Sequence, residues 1–170
     1  MHFLRPYERK DWTSVSNLLS VLPSLYPNGA AWLDHRLDDV LWGKARCTLA
    51  ISKGMPIGAT IETPKGRGRI KLSTIFVHPS LRKFGVGTSL MRNCYENWVK
   101  ENVSQVHLTV DFTIAPTLTP LLMNFGFVAD TVLYDRYGID RHELILSWSN
   151  ACSSLENLGQ KKSGLLRNSS

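Results

Sequence analysis

After a short first strand, the apolar positions of the chain have helical spacing up to about residue 44 and the alternation of β-strands after it. The segment Phe3–Pro6 predicts a short strand. Asp11 then stands as the cap of a helix whose apolar side chains recur at helical spacing and which Pro23 should stop. After the turn chemistry of LYPNGA, residues 25–30, a second helix is predicted over Ala31–Lys44.

The middle of the chain changes to short β-rich segments separated by the hairpin-like turns KGM and PKGRG. They predict an antiparallel meander with strands at 47–52, 56–63 and 69–77. The next segment, 87–102, has a clear apolar stripe at helical spacing, and 106–110 has the composition of a buried strand.

The last elements are a short helix and two strands. Thr119 and Pro120 suit the N-cap and first position of a helix that runs to Asn124. Strands are predicted over 127–135 and 142–148. From Asn150 the periodicity is lost. We therefore predict one domain over residues 1–149 and a flexible C-terminal tail over 150–170.

This order of elements predicts an α+β (α/β) fold. We expect a mixed, mostly antiparallel sheet of about six to seven strands flanked by about four helices. The helix 87–102 joins strands 69–77 and 106–110 in a β-α-β crossover. Those two strands should therefore run parallel, or splay apart, within the otherwise antiparallel sheet.

Composition narrows the class of protein. The chain has 170 residues, of which 43% are hydrophobic and 20% charged, as in an ordinary globular domain. Its apolar runs are too short to span a membrane, and its N-terminus does not resemble a secretory signal. Cys47, Cys94 and Cys152 lack the spacing of a metal site. Reduced thiols, a cytoplasmic location and no metal are the expectation.

The formal net charge of +6 admits a nucleic acid, an acidic partner or a polyanionic small molecule. Part of this charge is clustered within 19 residues, at Lys65, Arg67, Arg69, Lys71, Arg82 and Lys83. A solvated basic face is the alternative interpretation. A nucleic-acid-binding protein would rest on charge alone, because the sequence has no finger, helix-turn-helix or aromatic–basic interleaving.

The run RKFGVG, residues 82–87, lies at the strand-to-helix turn of the crossover. Backbone N–H groups at a helix N-terminus lack partners, and the helix dipole adds partial positive charge there. Gly85 and Gly87 let an anion approach the backbone, and Arg82 and Lys83 add formal charge. The pattern suits a pyrophosphate, although it is neither GxxxxGK[ST] nor GxGxxG, and an ordinary turn is the alternative.

The longer run VHPSLRKFGVG resembles motif A of the GCN5-related N-acetyltransferases (GNAT), [Q/R]-x-x-G-x-[G/A] after a strand that ends in V-x-P. The segment LRPYERKDW is similar to the first strand and first helix start of that family, and LLMNFGF to its second conserved region. The resemblance covers roughly residues 2–149. It implies the GNAT fold, with a splayed parallel strand pair at the cofactor site.

The resemblance also implies that acetyl-CoA, or another acyl-CoA, is the bound polyanion. The backbone of the loop would hold the pyrophosphate, and the main chain of β-strand 72–77 would hold the pantetheine arm. The Val77 amide, or that of its neighbour, would donate to the thioester carbonyl. The implied cofactor residues are Phe76, Val77, Arg82, Lys83, Phe84, Gly85, Val86, Gly87, Thr88 and Ser89.

Catalytic residues are harder to transfer from the family. Leu122 occupies the position of the usual tyrosine acid, and Lys71 is nearest to the position of a glutamate base. Two carboxylates are the remaining candidates. Asp111 ends the parallel strand, where a turn or helix cap is the alternative, and Glu62 lies on the strand beside motif A, where a solvated strand residue is the alternative.

The leading hypothesis is an acetyl-CoA-dependent N-acetyltransferase in which an amine attacks the thioester directly. The acceptor would be a small molecule, a protein or, as in acetyltransferase toxins, an aminoacyl-tRNA. A CoA-binding regulatory or partner module without turnover is the rival, because Leu122 replaces the tyrosine. Acceptor specificity is expected in residues 23–45 and 134–142, no membrane contact is expected, and a homodimer is left open.

Overall fold

One mixed sheet organises the part of the chain that the computed structural model describes, residues 1–22, 28–136 and 138–150. Its strands are β1 (Phe3–Pro6), β2 (Arg46–Ser52), β3 (Met55–Pro64), β4 (Arg69–Val77), β5 (Gln105–Asp111), β6 (Val128–Leu133) and β7 (Glu143–Ser149). The helices of this part are α1 (Trp12–Leu18), α2 (Gly29–Leu41), α3 (Val86–Lys100) and α4 (Ala115–Met123), with 3₁₀ turns at Arg9–Asp11 and Pro79–Leu81.

The seven strands are ordered β1-β2-β3-β4-β5-β7-β6. Every neighbouring pair is antiparallel except β4 and β5, which are parallel and are joined by α3. The predicted mixed sheet, its meander and its single parallel pair are therefore confirmed. The crossover through α3 returns β5 in the same direction as β4.

The parallel pair separates soon after it begins. β4 and β5 are paired only from Arg69 opposite Gln105 to Lys71 opposite His107. On the other edge of β4 the register shifts, with Ile61 of β3 opposite Thr74 and the next residue opposite Leu72. The residue between them, Ser73, is therefore bulged, and a bulge bends and twists its strand. The result is a gap between β4 and β5 beyond the paired residues.

Two apolar layers hold the helices on opposite faces of the sheet. One layer packs Val15 and Leu19 at α1 and Leu33 and Leu37 of α2 against β2 and β3. The other packs α3 and α4 against β4, β5 and β7 around fully buried Trp98. Trp98 meets Phe127 edge-on, with ring centroids 5.9 Å apart, and Trp148 at 5.6 Å. Such pairs add about 0.5–1.5 kcal/mol each beyond the burial of area.

The start of α4 was predicted wrongly. The helix begins at Ala115, so Thr119 and Pro120 are not its N-cap and first residue, and Pro120 lies inside it. Pro116 is in the first turn, where no backbone N–H is needed. The chain enters the helix through Asp111, whose carboxylate accepts hydrogen bonds from the N–H and hydroxyl of Thr113.

The predicted first helix is divided into the 3₁₀ turn and α1, which ends at Leu18. Asp11 stands at the N-cap position, but its carboxylate accepts from the Arg5 guanidinium at 2.7 Å and from the Glu8 N–H at 2.9 Å instead of capping α1. The hydrogen bond from Arg5 lowers the pKa of Asp11. The expected stop at Pro23 lies outside the described residues.

The C-terminal end of the described chain is tied to the sheet. β7 ends at Ser149, and the Asn150 N–H donates to the Ser104 carbonyl at 3.1 Å. Residues 151–170 of the predicted tail lie outside the described ranges, so the domain boundary stays a prediction. None of the helices in the described ranges is long and apolar enough to cross a membrane.

Candidate active site

The loop between β4 and α3 has the backbone of an open helix start. Lys83 and Gly85 have φ values of 68° and 78°, in the left-handed region. Glycine is the residue that adopts this conformation without strain. A Cβ built on Gly85 would meet no atom within 4 Å, so the space before α3 is open.

Backbone donors are available around this loop. In the described part of the chain the N–H groups of Lys83, Phe84 and Gly85 have no hydrogen-bond acceptor, and the first turn of α3 adds more free donors. The Arg82 Nε donates to the Val77 carbonyl at 3.2 Å, which keeps its charge at the end of β4. Together these groups form a positive, solvent-open cradle for an anion.

The other predicted loop residues differ in what they touch. A Cβ on Gly87 would lie 3.1 Å from the Leu121 side chain, so this glycine lets α3 approach α4 closely. Val86 is buried, whereas Phe84 is 73% exposed and Thr88 is exposed. The Ser89 hydroxyl is hydrogen-bonded to His2 at 3.0 Å, so it faces β1 rather than the loop.

A cavity of about 220 Å³ occupies the gap between β4 and β5. It is lined by Leu22 and Trp32 on the α1/α2 side, by Ile114 and Leu118 at α4, and by residues 71–75, 108–110 and Glu143. Because its walls come from both faces of the sheet, the cavity passes between the two strands. Beyond Lys71, the edge of β4 that faces the cavity is paired with no strand of the described residues. Its backbone N–H and C=O groups are therefore available to an extended ligand.

Glu143 is a buried carboxylate in this cavity and was not among the site residues predicted from the sequence. It is the first residue of β7, it pairs with Asp111 across the strands, and it is 4% exposed. Its carboxylate lies 3.4 Å from the Arg136 guanidinium. Burial raises the pKa of Glu143, and the charge of Asp111 raises it further, while Arg136 and Lys71 oppose the shift. A carboxyl with a raised pKa is a stronger base than an ordinary one.

Lys71 is a half-buried cation in the same cavity. It is the last residue of β4 that is paired with β5, where it stands opposite His107. Burial lowers the pKa of Lys71, and the neighbouring charge of Lys65 lowers it further. The cavity therefore holds one carboxylate and one amine whose charged forms are both disfavoured.

The two predicted catalytic carboxylates lie in different places. Asp111 is next to Glu143 at the end of β5, but it does not line the cavity. Its Oδ1 accepts hydrogen bonds from the N–H and the hydroxyl of Thr113. Glu62 is not a solvated strand residue, because it is only 1% exposed. It accepts hydrogen bonds from Trp98 Nε1 and, at 2.9 Å, from Arg46 Nε. This bonding lies under α3, and Glu62 does not line the cavity.

Leu122, at the position of the family's tyrosine, is fully buried in the core between α4 and the sheet. The part of α4 that reaches the cavity presents Ile114 and Leu118. This wall is hydrocarbon, so α4 offers no side-chain proton donor in the cavity.

The clustered basic residues do not form one surface. Arg82 and Lys83 follow the end of β4, whereas Lys65, Arg67 and Arg69 lie at its start. The strand between them has nine residues, which separates the two groups by about 26 Å. The second group therefore cannot contribute to the anion cradle at α3.

Residues 30–146 match the model of the acetyltransferase (GNAT) domain, which is more than half of the chain. The chain therefore belongs to the GCN5-related N-acetyltransferase family, a family of acyl-transferring enzymes, as its motif A indicated. A search of curated proteins found no match.

Solved structures show the same fold. A putative GNAT-family acetyltransferase from Desulfovibrio desulfuricans is 18% identical, with a TM-score of 0.75, and the match covers 88% of this chain and 99% of that one. The ribosomal-protein-S18-alanine N-acetyltransferase from Escherichia coli is 16% identical, with a TM-score of 0.72 and coverage of 88% and 94%. An aminoglycoside 6'-N-acetyltransferase complexed with coenzyme A is 15% identical, with a TM-score of 0.71 and coverage of 86% and 96%.

Proposed function

We propose that this protein is an acetyl-CoA-dependent N-acetyltransferase that acts on an amine of a small molecule or a protein. The observation that carries the proposal is the cavity between β4 and β5, which has a buried carboxylate at one wall and is lined by β4, the strand that leads to the anion cradle. Family membership and a fold shared with acetyltransferases of amine groups support it.

The chain's own groups fit an acyl-CoA. The N–H groups of residues 83–85 and of the first turn of α3 would hold the pyrophosphate, with charge from Arg82 and Lys83. Ser89 would contribute only its backbone, because its hydroxyl is bonded to His2. The unpaired edge of β4 would hold the pantetheine arm at Phe76 and Val77, and its backbone N–H groups would donate to the thioester carbonyl where the acyl group enters the cavity lined by residues 71–75. The bound acyl-CoA supplies an activated acyl group in the form of a thioester.

Glu143 is the base that the geometry favours. A carboxylate with a raised pKa lies in the wall of the cavity, where it can take the proton that the acceptor amine must lose. Its neighbour Asp111 stays as a second, weaker candidate. The departing thiol has an ordinary pKa of about 8.5, so it leaves without strong acid assistance. The hydrocarbon wall of α4 is compatible with such a reaction.

Thiol release tests the proposal. Purified full-length protein would be incubated with acetyl-CoA and a panel of amines that includes aminoglycosides, polyamines, amino acids and peptides with free N-termini. Amine-dependent release of CoA, with an acetylated product of the expected mass, supports the enzyme. The burial of Leu122 in the core favours one second candidate, a CoA-binding module without turnover. Acetyl-CoA binding without turnover on any amine would favour that module, and absence of binding would contradict both.

A further inference from the structure

Lys71 has no role in the proposed reaction, although it lies in the same cavity. Its side chain is half-buried and lines the wall where β4 leaves β5. Within the described ranges its amine makes no hydrogen bond and no ion pair. A buried ammonium group is normally paired, because desolvation of an unpaired charge is costly. A lysine without such a partner in a reactive cavity calls for a chemical explanation.

The charges around Lys71 favour its neutral, nucleophilic form. Lys65, Arg36 and Arg136 oppose a positive charge at this position, and Glu143 is the one carboxylate among the groups that act on it. His107, which stands beside Lys71 on β5, has a pKa lowered by burial and then by the charge of Lys71. Neutral amines are the nucleophiles of acyl transfer, and a lysine is activated in this way by burial and by neighbouring cations.

We propose that Lys71 is itself an acyl acceptor, and that the protein acetylates its own Lys71 from acetyl-CoA bound in the same chain. This inference rests on the proposed function, because it requires the thioester to lie in the cavity that Lys71 lines.

The chemistry uses groups that the cavity already holds. The lone pair of Lys71 Nζ attacks the thioester carbonyl carbon, an N–C bond forms, the C–S bond breaks, and its electron pair leaves with sulfur. The Lys71 nitrogen gives up one proton to the Glu143 carboxylate, which can pass it to the thiolate. The products are N-acetyl-lysine at position 71 and free CoA. No oxidant, reductant or metal is needed for this balance.

The modification would change the cavity. An acetylated Lys71 carries no charge, and its amide occupies space beside Glu143. Loss of the Lys71 charge removes one of the three cations, with Arg136 and Arg141, that oppose the raised pKa of Glu143. Self-acetylation would therefore leave less space in the cavity for the acceptor amine and would limit turnover when the acceptor is scarce.

The experiment follows acetylation of each lysine in the full chain by peptide mass spectrometry during incubation with acetyl-CoA. Exposed Lys53 and Lys100 serve as internal references for uncatalysed acetylation. We expect Lys71 to react at least about tenfold faster than these lysines, because a bound acyl group is held near it. The fraction modified should be independent of protein concentration and should saturate with acetyl-CoA.

Variants separate this inference from the proposed function. Lys71→Arg should abolish the modification at position 71, and Glu143→Gln should slow it, while Lys53 and Lys100 keep their rates. Gly85→Asp, which places a carboxylate in the anion cradle, should reduce Lys71 acetylation to the level of the references. Thermal unfolding of each variant, without cofactor, shows that it is folded.

Acetyl-CoA binding is measured in parallel by calorimetry. Binding without preferential acetylation of Lys71 would overturn the self-acetylation alone. Equal rates at Lys71 and at the exposed lysines in both wild type and Gly85→Asp would also overturn it. Absence of binding would contradict the proposed function as well.

Discussion

Buried charged side chains in this protein are of two kinds. The Glu62 carboxylate has a full set of donors from Trp98 and Arg46, and Arg46 also reaches Glu101 at 2.6 Å. In the described part of the chain the ion pair of Glu143 is with Arg136, at the longer distance of 3.4 Å, within an open cavity. A buried charge with complete partners stabilises one structure, whereas a buried charge with few partners can change its protonation state.

Removal of Arg46 should destabilise the fold. In Arg46→Ala the Glu62 carboxylate, whose side chain is 2% exposed, loses its cation. Because the Arg46 side chain is itself 35% exposed, we expect a loss near the lower end for buried pairs, about 2–3 kcal/mol in urea denaturation. Glu101→Gln is the control, and its loss should stay below about 1 kcal/mol, because Glu101 is 48% exposed. Equal losses in the two variants would contradict this view of Glu62, whereas partial recovery in Arg46→Ala/Glu62→Gln would support it.

Glu143→Gln should remove a base and leave the fold intact. We expect kcat to fall about a hundredfold. In the wild type, kcat/KM should fall as the pH drops through the raised pKa of Glu143, and the variant should lose this acid limb. Asp111→Asn is the matched control, because asparagine can still accept from Thr113, and it should lose far less activity. A full acid limb in Glu143→Gln would refute the assignment.

The same shift sets the sign of the pH dependence of stability. Because folding raises the pKa of Glu143, the folded state binds the Glu143 proton more tightly than the unfolded state does. This contribution of Glu143 to the free energy of unfolding is present at low pH and is lost as the pH rises through the raised pKa. The unfolding free energy of Glu143→Gln, relative to wild type, should therefore increase from acid to neutral pH.

The sequence made Asp111 a candidate catalytic residue but not Glu143. Asp111 ends a strand next to motif A, which is visible in local sequence. Glu143 precedes an apolar strand in RHELILSW and has the pattern of an ordinary solvated strand start. Its burial depends on the pairing of β7 with β5, in which Glu143 stands opposite Asp111. Such long-range register is not encoded in the neighbourhood of either residue.

At the scale of elements, the site is made by the bulge in β4 and by the start of α3. The pairing of β4 with β5 ends at Lys71, just before the bulge, and the left-handed residues Lys83 and Gly85 turn the chain into the helix. The sequence predicted the turn because glycines after a V-x-P strand end are local signals. From the sequence, Gly85 and Gly87 were both expected to let an anion approach the backbone. In the structure Gly87 also allows the close contact between α3 and Leu121 of α4.

A matched pair of substitutions at Gly85 tests the anion cradle. Asp and Asn are nearly the same size and both tolerate the left-handed conformation of this position, so both variants should fold. Asp also suits the N-cap of α3. We expect Gly85→Asp to weaken acetyl-CoA binding at least about tenfold more than Gly85→Asn, because its charge repels the pyrophosphate. Equal affinities in calorimetry would show that the anion binds elsewhere.

The start of α4 was the main error at this scale. Thr119 and Pro120 favoured a late helix start, since they suit an N-cap and a first helical position, where proline's missing N–H costs nothing. The helix instead begins at Ala115 and includes Pro120, while its apolar residue Leu122 is fully buried against the sheet. Tertiary packing of α4 therefore outweighs the local cost of an internal proline.

At the scale of the whole molecule, the order of elements identified the fold before any packing was known. The net charge was less informative, because the basic residues at the two ends of β4 are far apart. The acceptor side is the part that the sequence could not specify. Leu22 and Trp32 form the wall of the cavity opposite α4, and in the connection between β6 and β7 Tyr134 packs on His142 with ring centroids 5.1 Å apart.

A chain that ends at Asn150 should keep the fold and the cofactor site. β7 is complete at Ser149, and Asn150 is bonded to Ser104. We expect the unfolding free energy to change by less than about 0.5 kcal/mol, because the last strand of the sheet stays complete. A large loss of stability, or loss of acetyl-CoA binding, would show that residues 151–170 belong to the domain.

The central claim is that the gap between β4 and β5 and the start of α3 form an acyl-CoA site. Isothermal titration calorimetry of the full-length wild type with acetyl-CoA tests it most directly. We predict saturable binding of one acetyl-CoA per chain. Absence of binding heat, with no thermal stabilisation by acetyl-CoA, would contradict the claim.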